Sequence, residues 1–128
     1  MRILRVHHIA IIATDYERSK AFYLDVVGCE LLVEHFRAER DSWKADLALN
    51  GEYLLELFSF PSPPPRATWP ESTGLRHLAF AVESVEDARA ELVRKGVRCE
   101  DVRIDPYTQK RMMFFFDPDG QPLELAEA

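Results

Sequence analysis

Four residues at two matched spacings have the types needed for chemistry: His8, Glu56, His77 and Glu124. His8 lies in Val6-His7-His8-Ile9-Ala10-Ile11, and His77 in Leu75-Arg76-His77-Leu78-Ala79-Phe80. Glu56 follows the turn Asn50-Gly51 in Glu52-Tyr53-Leu54-Leu55-Glu56-Leu57, and Glu124 follows Asp119-Gly120 in Gln121-Pro122-Leu123-Glu124-Leu125. The histidines are 69 residues apart and the glutamates 68, so a His…Glu unit occurs twice. Imidazole and carboxylate ligands suit a divalent first-row metal (Ni²⁺, Zn²⁺, Co²⁺, Mn²⁺ or Fe²⁺) better than a thiophilic one. Four such ligands in an octahedral shell leave two positions for substrate oxygens. The ion would polarise a carbonyl and stabilise the enediolate formed when the neighbouring C–H loses its proton. A ligating glutamate that swings off the metal would supply the base. The competing reading joins the same four residues in a buried ion-pair network, but their repeat-matched positions favour the metal. His7 points to the opposite face from His8 and is read as structural, with support of a ligand as the alternative.

The elements that must position these residues follow from periodicity. Residues 3–12 alternate and are rich in β-formers, which predicts a strand. Thr14 with Glu17 forms a capping-box signature, opening a helix with Tyr16, Phe22, Tyr23, Val26 and Val27 on its apolar side and Gly28 at its end. Strands are expected at 29–36, 43–49 and 53–60, the last two joined by a hairpin turn at Asn50-Gly51. Residues 61–74, with five prolines, read as a connector. The order then recurs: a strand at 75–82, a helix from a Ser84 cap to Gly96, and strands at 97–103, 111–116 and 122–126. The sequence thus predicts an α+β fold of two tandem β-α-β-β-β modules, about 1–60 and 75–128, within one domain spanning 1–128. Alternation puts His8 with Ala10 and Ile12, His77 with Ala79 and Ala81, Glu56 with Leu54 and Phe58, and Glu124 with Pro122 and Ala126. The opposite faces are apolar and should pack under the helices, leaving the His/Glu faces to line a cup.

Bulk composition excludes several classes. At 128 residues and 47% hydrophobic, the chain can bury a real core. A net charge of −6 argues against a nucleic-acid partner, which needs a dense basic patch. No apolar run reaches membrane-spanning length and no signal-peptide pattern is read at the N-terminus, so a cytoplasmic protein with no membrane partner is expected. Cys29 and Cys99 lack CxxC spacing and read as reduced thiols near strand starts.

The HHIAI strand, the Tyr16–Tyr23 helix, the LLEL strand, the RHLAF strand and the closing DPDGQPLEL together resemble the vicinal-oxygen-chelate superfamily, and within it the glyoxalase I (lactoylglutathione lyase)-like branch. The resemblance covers nearly the whole chain. It implies the glyoxalase/bleomycin-resistance/dioxygenase fold, a cupped, barrel-like eight-stranded mixed sheet. It implies His8, Glu56, His77 and Glu124 as metal ligands, Glu124 and Glu56 as catalytic carboxylates, and Glu124 as the main proton shuttle between C1 and C2 of a hemithioacetal or small 2-oxo substrate. Short members of the branch favour Ni²⁺ or Co²⁺, and a homodimer is expected.

The chain departs from that pattern at two positions. Ile12 and Phe60 stand where glyoxalase I enzymes usually carry an Arg and an Asn that hold glutathione. Losing two charge-assisted contacts of roughly 1.5–3 kcal/mol each would weaken an anionic tripeptide by about a hundredfold or more. Arg103, Lys110 and Arg111 offer other anchors, and Trp43 and Lys44 are candidates for the rim. The alternatives are a non-catalytic small-molecule-binding protein of the same fold, or an epimerase or Fe²⁺ dioxygenase of the same superfamily.

Overall fold

The computed structural model describes residues 1–128. The chain divides into two compact units, Met1–Pro65 and Arg66–Ala128. Each carries one β-α-β-β-β module, so the expected α+β class and module order hold. The strands, β1 (Ile9–Ala13), β2 (Glu30–Arg37), β3 (Ser42–Leu49), β4 (Glu52–Ser59), β5 (Leu78–Val82), β6 (Arg103–Ile104), β7 (Arg111–Phe116) and β8 (Pro122–Glu127), are hydrogen-bonded as two mixed sheets of four, with orders β1-β4-β3-β2 and β5-β8-β7-β6, and neither sheet closes into a barrel.

In the first unit β1 (Ile9–Ala13) leads into α1 (Tyr16–Ala21), which continues as a π-helical turn over Phe22–Val27. The cap of α1 is Asp15 rather than Thr14: its Oδ1 accepts the Arg18 backbone N–H at 3.1 Å. A carboxylate satisfies an orphan N–H of the first turn and also meets the positive end of the helix dipole. The sequence periodicity predicts one regular helix to Gly28. The final turns widen instead, and Phe22 and Tyr23, neighbours in sequence, are both buried. Gly28 ends the segment at φ +89°, a left-handed conformation that favours glycine.

Three antiparallel-linked strands follow: β2 (Glu30–Arg37), β3 (Ser42–Leu49) and β4 (Glu52–Ser59). Asn50 and Gly51 join the last two with φ of +52° and +80°, the two positive values that a type I′ hairpin requires. β4 then pairs in parallel with β1. Ala45, Leu47, Leu55 and Leu57 form the buried face of this sheet, with Tyr16 and Tyr23 of the helical segment also buried.

The second unit repeats the plan. β5 (Leu78–Val82) precedes α2 (Val85–Arg94), where Ser84 Oγ accepts the Asp87 N–H as its sequence position predicts. β7 (Arg111–Phe116) and β8 (Pro122–Glu127) pair antiparallel, and β8 pairs in parallel with β5. In the turn between them Asp117 Oδ1 accepts the N–H groups of Asp119 and Gln121, both at 2.9 Å. Met113, Phe115, Leu123 and Leu125 make the buried face.

Three expected strands are shorter than the sequence suggests. β1 begins at Ile9 and β5 at Leu78, so His8 and His77 each stand one residue ahead of a strand rather than within it. The strand expected at 97–103 is reduced to β6 (Arg103–Ile104) plus a single bridge between Cys99 and Phe115. Alternation of side chains reports β-like patterning, whereas a strand needs a partner backbone, and these segments outrun theirs.

Candidate functional site

Parallel pairing fixes each glutamate beside an alanine of the first strand: Ala10 opposite Glu56, and Ala79 opposite Glu124. The preceding histidine lies on the same face two residues earlier. Small alanines leave that face open, and the histidine folds over it to meet the carboxylate. His8 Nε2 is 2.5 Å from Glu56 Oε2, and His77 Nε2 is 2.8 Å from Glu124 Oε2. Four residues 68 and 69 positions apart in sequence therefore resolve into two equivalent His–Glu pairs, one in each unit.

The ring of His8 is fixed on its other side as well. His7 Nδ1 and His8 Nδ1 are hydrogen-bonded at 2.8 Å, so one ring donates and the other accepts. With the proton on His8 Nδ1, Nε2 would be the nitrogen free to share a cation with the glutamate. His7 thus contacts the ring of His8 directly, although alternation sets the two on opposite faces. The two imidazoles and Tyr53 pack as a ring cluster with centroids 5.1–5.3 Å apart. His77 instead stands edge-on to Phe114 at 5.1 Å.

The two carboxylates differ in their surroundings. Glu56, buried, is cross-strand from Asp46, and Lys44 Nζ lies 3.3 Å from Glu56 Oε1 and 2.7 Å from Asp46 Oδ1. Its hydrogen bond to Asp46, outweighing the desolvation of the amine, and its pairing with Glu56 hold Lys44 protonated above the usual lysine range. Burial, reinforced by Asp46 and Glu56, likewise pushes the Tyr53 phenol well above its ordinary range, keeping it a hydrogen-bond donor. Glu124 sits opposite Phe114, with alanines beside it on β5 and two residues on in β8. Its one polar partner is His77.

These pairs fit a divalent metal by the chemistry of their donors. Two cis ligands on bonds of ~2.1 Å stand about 3 Å apart, close to the 2.8 Å of His77–Glu124, while His8 and Glu56 are in direct contact at 2.5 Å. An imidazole nitrogen and a carboxylate oxygen converge in each, and a neighbour orients His8 as ligating histidines require. Each unit brings two such groups together, and no group of three or more His, Cys, Asp or Glu side chains is gathered in a metal-holding arrangement.

The remaining candidates separate by face. Lys44 lies on the Glu56 face, but Trp43, the preceding residue, points the other way, stacked on Tyr16 at 6.0 Å and near Phe36 at 5.1 Å. Arg111 is likewise on the helix side of its sheet, bonded to Glu86 at 2.6 Å, and does not reach the His77–Glu124 face. Arg103 does share that face: its guanidinium lies 5.5 Å from the Phe114 ring and pairs with Glu100. Lys110 sits at an exposed turn. Ile12 and Phe60 share the Glu56 face, as alternation predicts, and Ile12 is 52% exposed there. A residue that sequence reasoning missed is Arg37, at the end of β2, whose guanidinium lies 4.7 Å from the Phe58 ring and 5.5 Å from Phe60. Its only sequence signal was its place on the Lys44 face, two residues beyond His35. Both cysteines are free, and burial raises the Cys29 thiol to about 11. No helix is long and apolar enough to cross a membrane.

Comparison with known proteins places the chain in a family. The chain is 63% identical over 123 residues to uncharacterized protein YaeR of Escherichia coli, covering 96% of this chain and 95% of that protein. It is 31% identical to a 2-epi-5-epi-valiolone epimerase of Actinomyces, over 94% of this chain and 77% of the enzyme. The crystal structure of a glyoxalase family protein from Enterococcus faecalis superposes with a TM-score of 0.90 at 46% identity, covering 96% of this chain and 97% of that one. The model of the glyoxalase/bleomycin resistance protein/dioxygenase superfamily matches residues 5–125. With its paired modules, each setting a histidine against a glutamate, the chain belongs to that superfamily, the vicinal-oxygen-chelate proteins.

Proposed function

We propose that this protein is a divalent-metal-dependent lyase or isomerase of glyoxalase I type, moving a proton between adjacent carbons of a small 2-oxo or thiol-adduct substrate. The observation that carries the reading is the duplicated His–Glu pair, 2.5 Å and 2.8 Å across, on faces cleared by alanine. His8, Glu56, His77 and Glu124 are the proposed ligands, with Ni²⁺ the favoured ion. When bound, such an ion polarises a substrate carbonyl and lowers the cost of developing negative charge beside it.

The protein's own groups divide the remaining work unequally. Glu56 is tied by Lys44 and faced by the Tyr53 phenol, so its carboxylate is held in place. Glu124 has only His77 and apolar neighbours, so it can turn toward a substrate C–H without breaking an ion pair to a fixed cation. Glu124 is therefore the proposed proton carrier, taking the proton at one carbon and returning it at the next. Glu56 is the proposed second carboxylate, fixed in position and able to serve the opposite face. His8 and His77 orient the carboxylates, and the apolar surfaces around Phe58 and Phe114 limit water at the reacting carbon.

The test uses protein loaded with Ni²⁺ and methylglyoxal adducts of several thiols, with solvent-proton exchange followed by NMR. Glu124→Gln should lower turnover by about 10³-fold or more while calorimetry still detects the ion, whereas Glu56→Gln should cost less in turnover and more in metal affinity. A chain that takes up none of Ni²⁺, Zn²⁺ or Mn²⁺ would sink the reading. A Glu124→Gln variant with unchanged ligand binding and no reaction to lose would point instead to a binding protein. Adducts of other thiols reacting while glutathione does not would match the apolar Ile12 and Phe60.

A further inference from the structure

We infer that Arg37 is the anchor for an anionic group, a carboxylate or phosphate carried by the substrate, on the same face as His8 and Glu56. The inference rests on the metal-dependent reading above, whose substrate class it narrows. The Cα register lays this face out in rows across the sheet. Ala10, Glu56 and Asp46 form one row, Ile12, Phe58 and Lys44 the next. Ser42 and Arg37 pair one row further on. Phe60 lies two residues beyond Phe58 on that side, and the two rings stack at 5.8 Å. The Arg37 guanidinium lies over both rings.

A guanidinium that meets aromatic rings rather than an acid keeps N–H donors for the in-plane hydrogen bonds that carboxylate and phosphate recognition uses. The protein uses little of that capacity. Arg37 Nη2 donates to Ser42 Oγ at 2.9 Å, and its Nε is buried without a hydrogen-bond partner. The ion pairs of this unit run through His8, Lys20 and Lys44, and Arg37 enters none of them. Lys44, the other cation on the face, is already taken up by Asp46 and Glu56. A half-buried cation without an acid, set over two phenyl rings, is placed to receive an anion from outside the chain.

The spacing also says how long the substrate should be. Rows on one face are about 7 Å apart along a strand, and the guanidinium overlies the Phe58 row, next to that of Glu56. The anionic group should therefore sit a few bonds from the oxygens that reach the metal, with the Phe58 and Ile12 side chains along the chain between. The molecule would be a short acid rather than an extended peptide.

The test measures binding of two hydroxamates to Ni²⁺-loaded protein by calorimetry. Hydroxamates offer two adjacent oxygens to a metal. The monohydroxamate of glutaric acid adds a carboxylate a few bonds away, and hexanohydroxamate has a neutral tail of similar length. The acid should bind at least about tenfold more tightly. Arg37→Met should reduce that preference to less than twofold while leaving hexanohydroxamate affinity unchanged, which also reports that the variant is folded. Arg37→Lys, keeping the charge and losing the fork, should retain an intermediate preference. Equal binding of both probes by the native protein, or a preference that survives Arg37→Met, overturns the anchor and leaves the metal reading standing. Failure of both probes to bind overturns the metal reading and the anchor with it.

Discussion

A histidine beside a glutamate is common, but a histidine whose second nitrogen is also held is better suited to ligation. His7 plays that part for His8, through the 2.8 Å contact between their Nδ1 atoms. His77 has no equivalent: the residue before it is Arg76, whose guanidinium instead bonds the Thr68 carbonyl and stacks on Trp69. The duplicated pairs are thus equal in ligand type and unequal in support. His7→Ala should weaken Ni²⁺ binding by about 10- to 100-fold, measured by competition with a chelator. An unchanged affinity would return His7 to a purely structural role. The identities of the four proposed ligands were legible in the sequence because the duplication marked them. The contact between His7 and His8 was only the secondary reading, because alternation treats residues 7 and 8 as belonging to opposite faces. That rule applies within a strand, and β1 starts only at Ile9.

Element boundaries depend on local chemistry that the sequence states clearly at some points and ambiguously at others. Asn50-Gly51 and the Ser84 cap are found where expected, since few residues adopt two consecutive positive φ values and few accept a first-turn N–H. The cap expected at Thr14 is instead Asp15, the next residue, whose carboxylate also accepts a first-turn N–H. The helix it opens ends at Gly28, φ +89°, with open space where a Cβ would stand. Gly28→Ala should therefore lose about 1–2 kcal/mol from backbone strain alone, without steric clash. Urea titration should show a lowered midpoint with an unchanged slope. A stability equal to that of the native protein would mean that the turn relaxes out of the left-handed region.

At the scale of the molecule, the two units share register as well as element order: Glu56 stands opposite Ala10 as Glu124 stands opposite Ala79. The proposed ligands come half from each unit, which makes stoichiometry the informative measurement. If both pairs serve one ion, the native chain takes up one equivalent and either His8→Ala or His77→Ala removes it. Two equivalents, one surviving in each variant, would mean that the pairs bind independently. Ion at 100 times its dissociation constant should add about 2.7 kcal/mol to stability, a thermal shift that both variants should lack. The sequence by itself determined the duplication, the α+β class, the four metal-type residues and the apolar side chains at positions 12 and 60, because residue type and periodicity are properties of the chain. Only the tertiary structure decided that eight strands form two sheets, that Lys44 and Tyr53 surround Glu56 while Glu124 stays among apolar neighbours, and that Arg37 lies unpaired on Phe58 and Phe60. Those facts arise where strands distant in sequence come into register, and an environment, unlike a residue type, exists only once its neighbours have arrived.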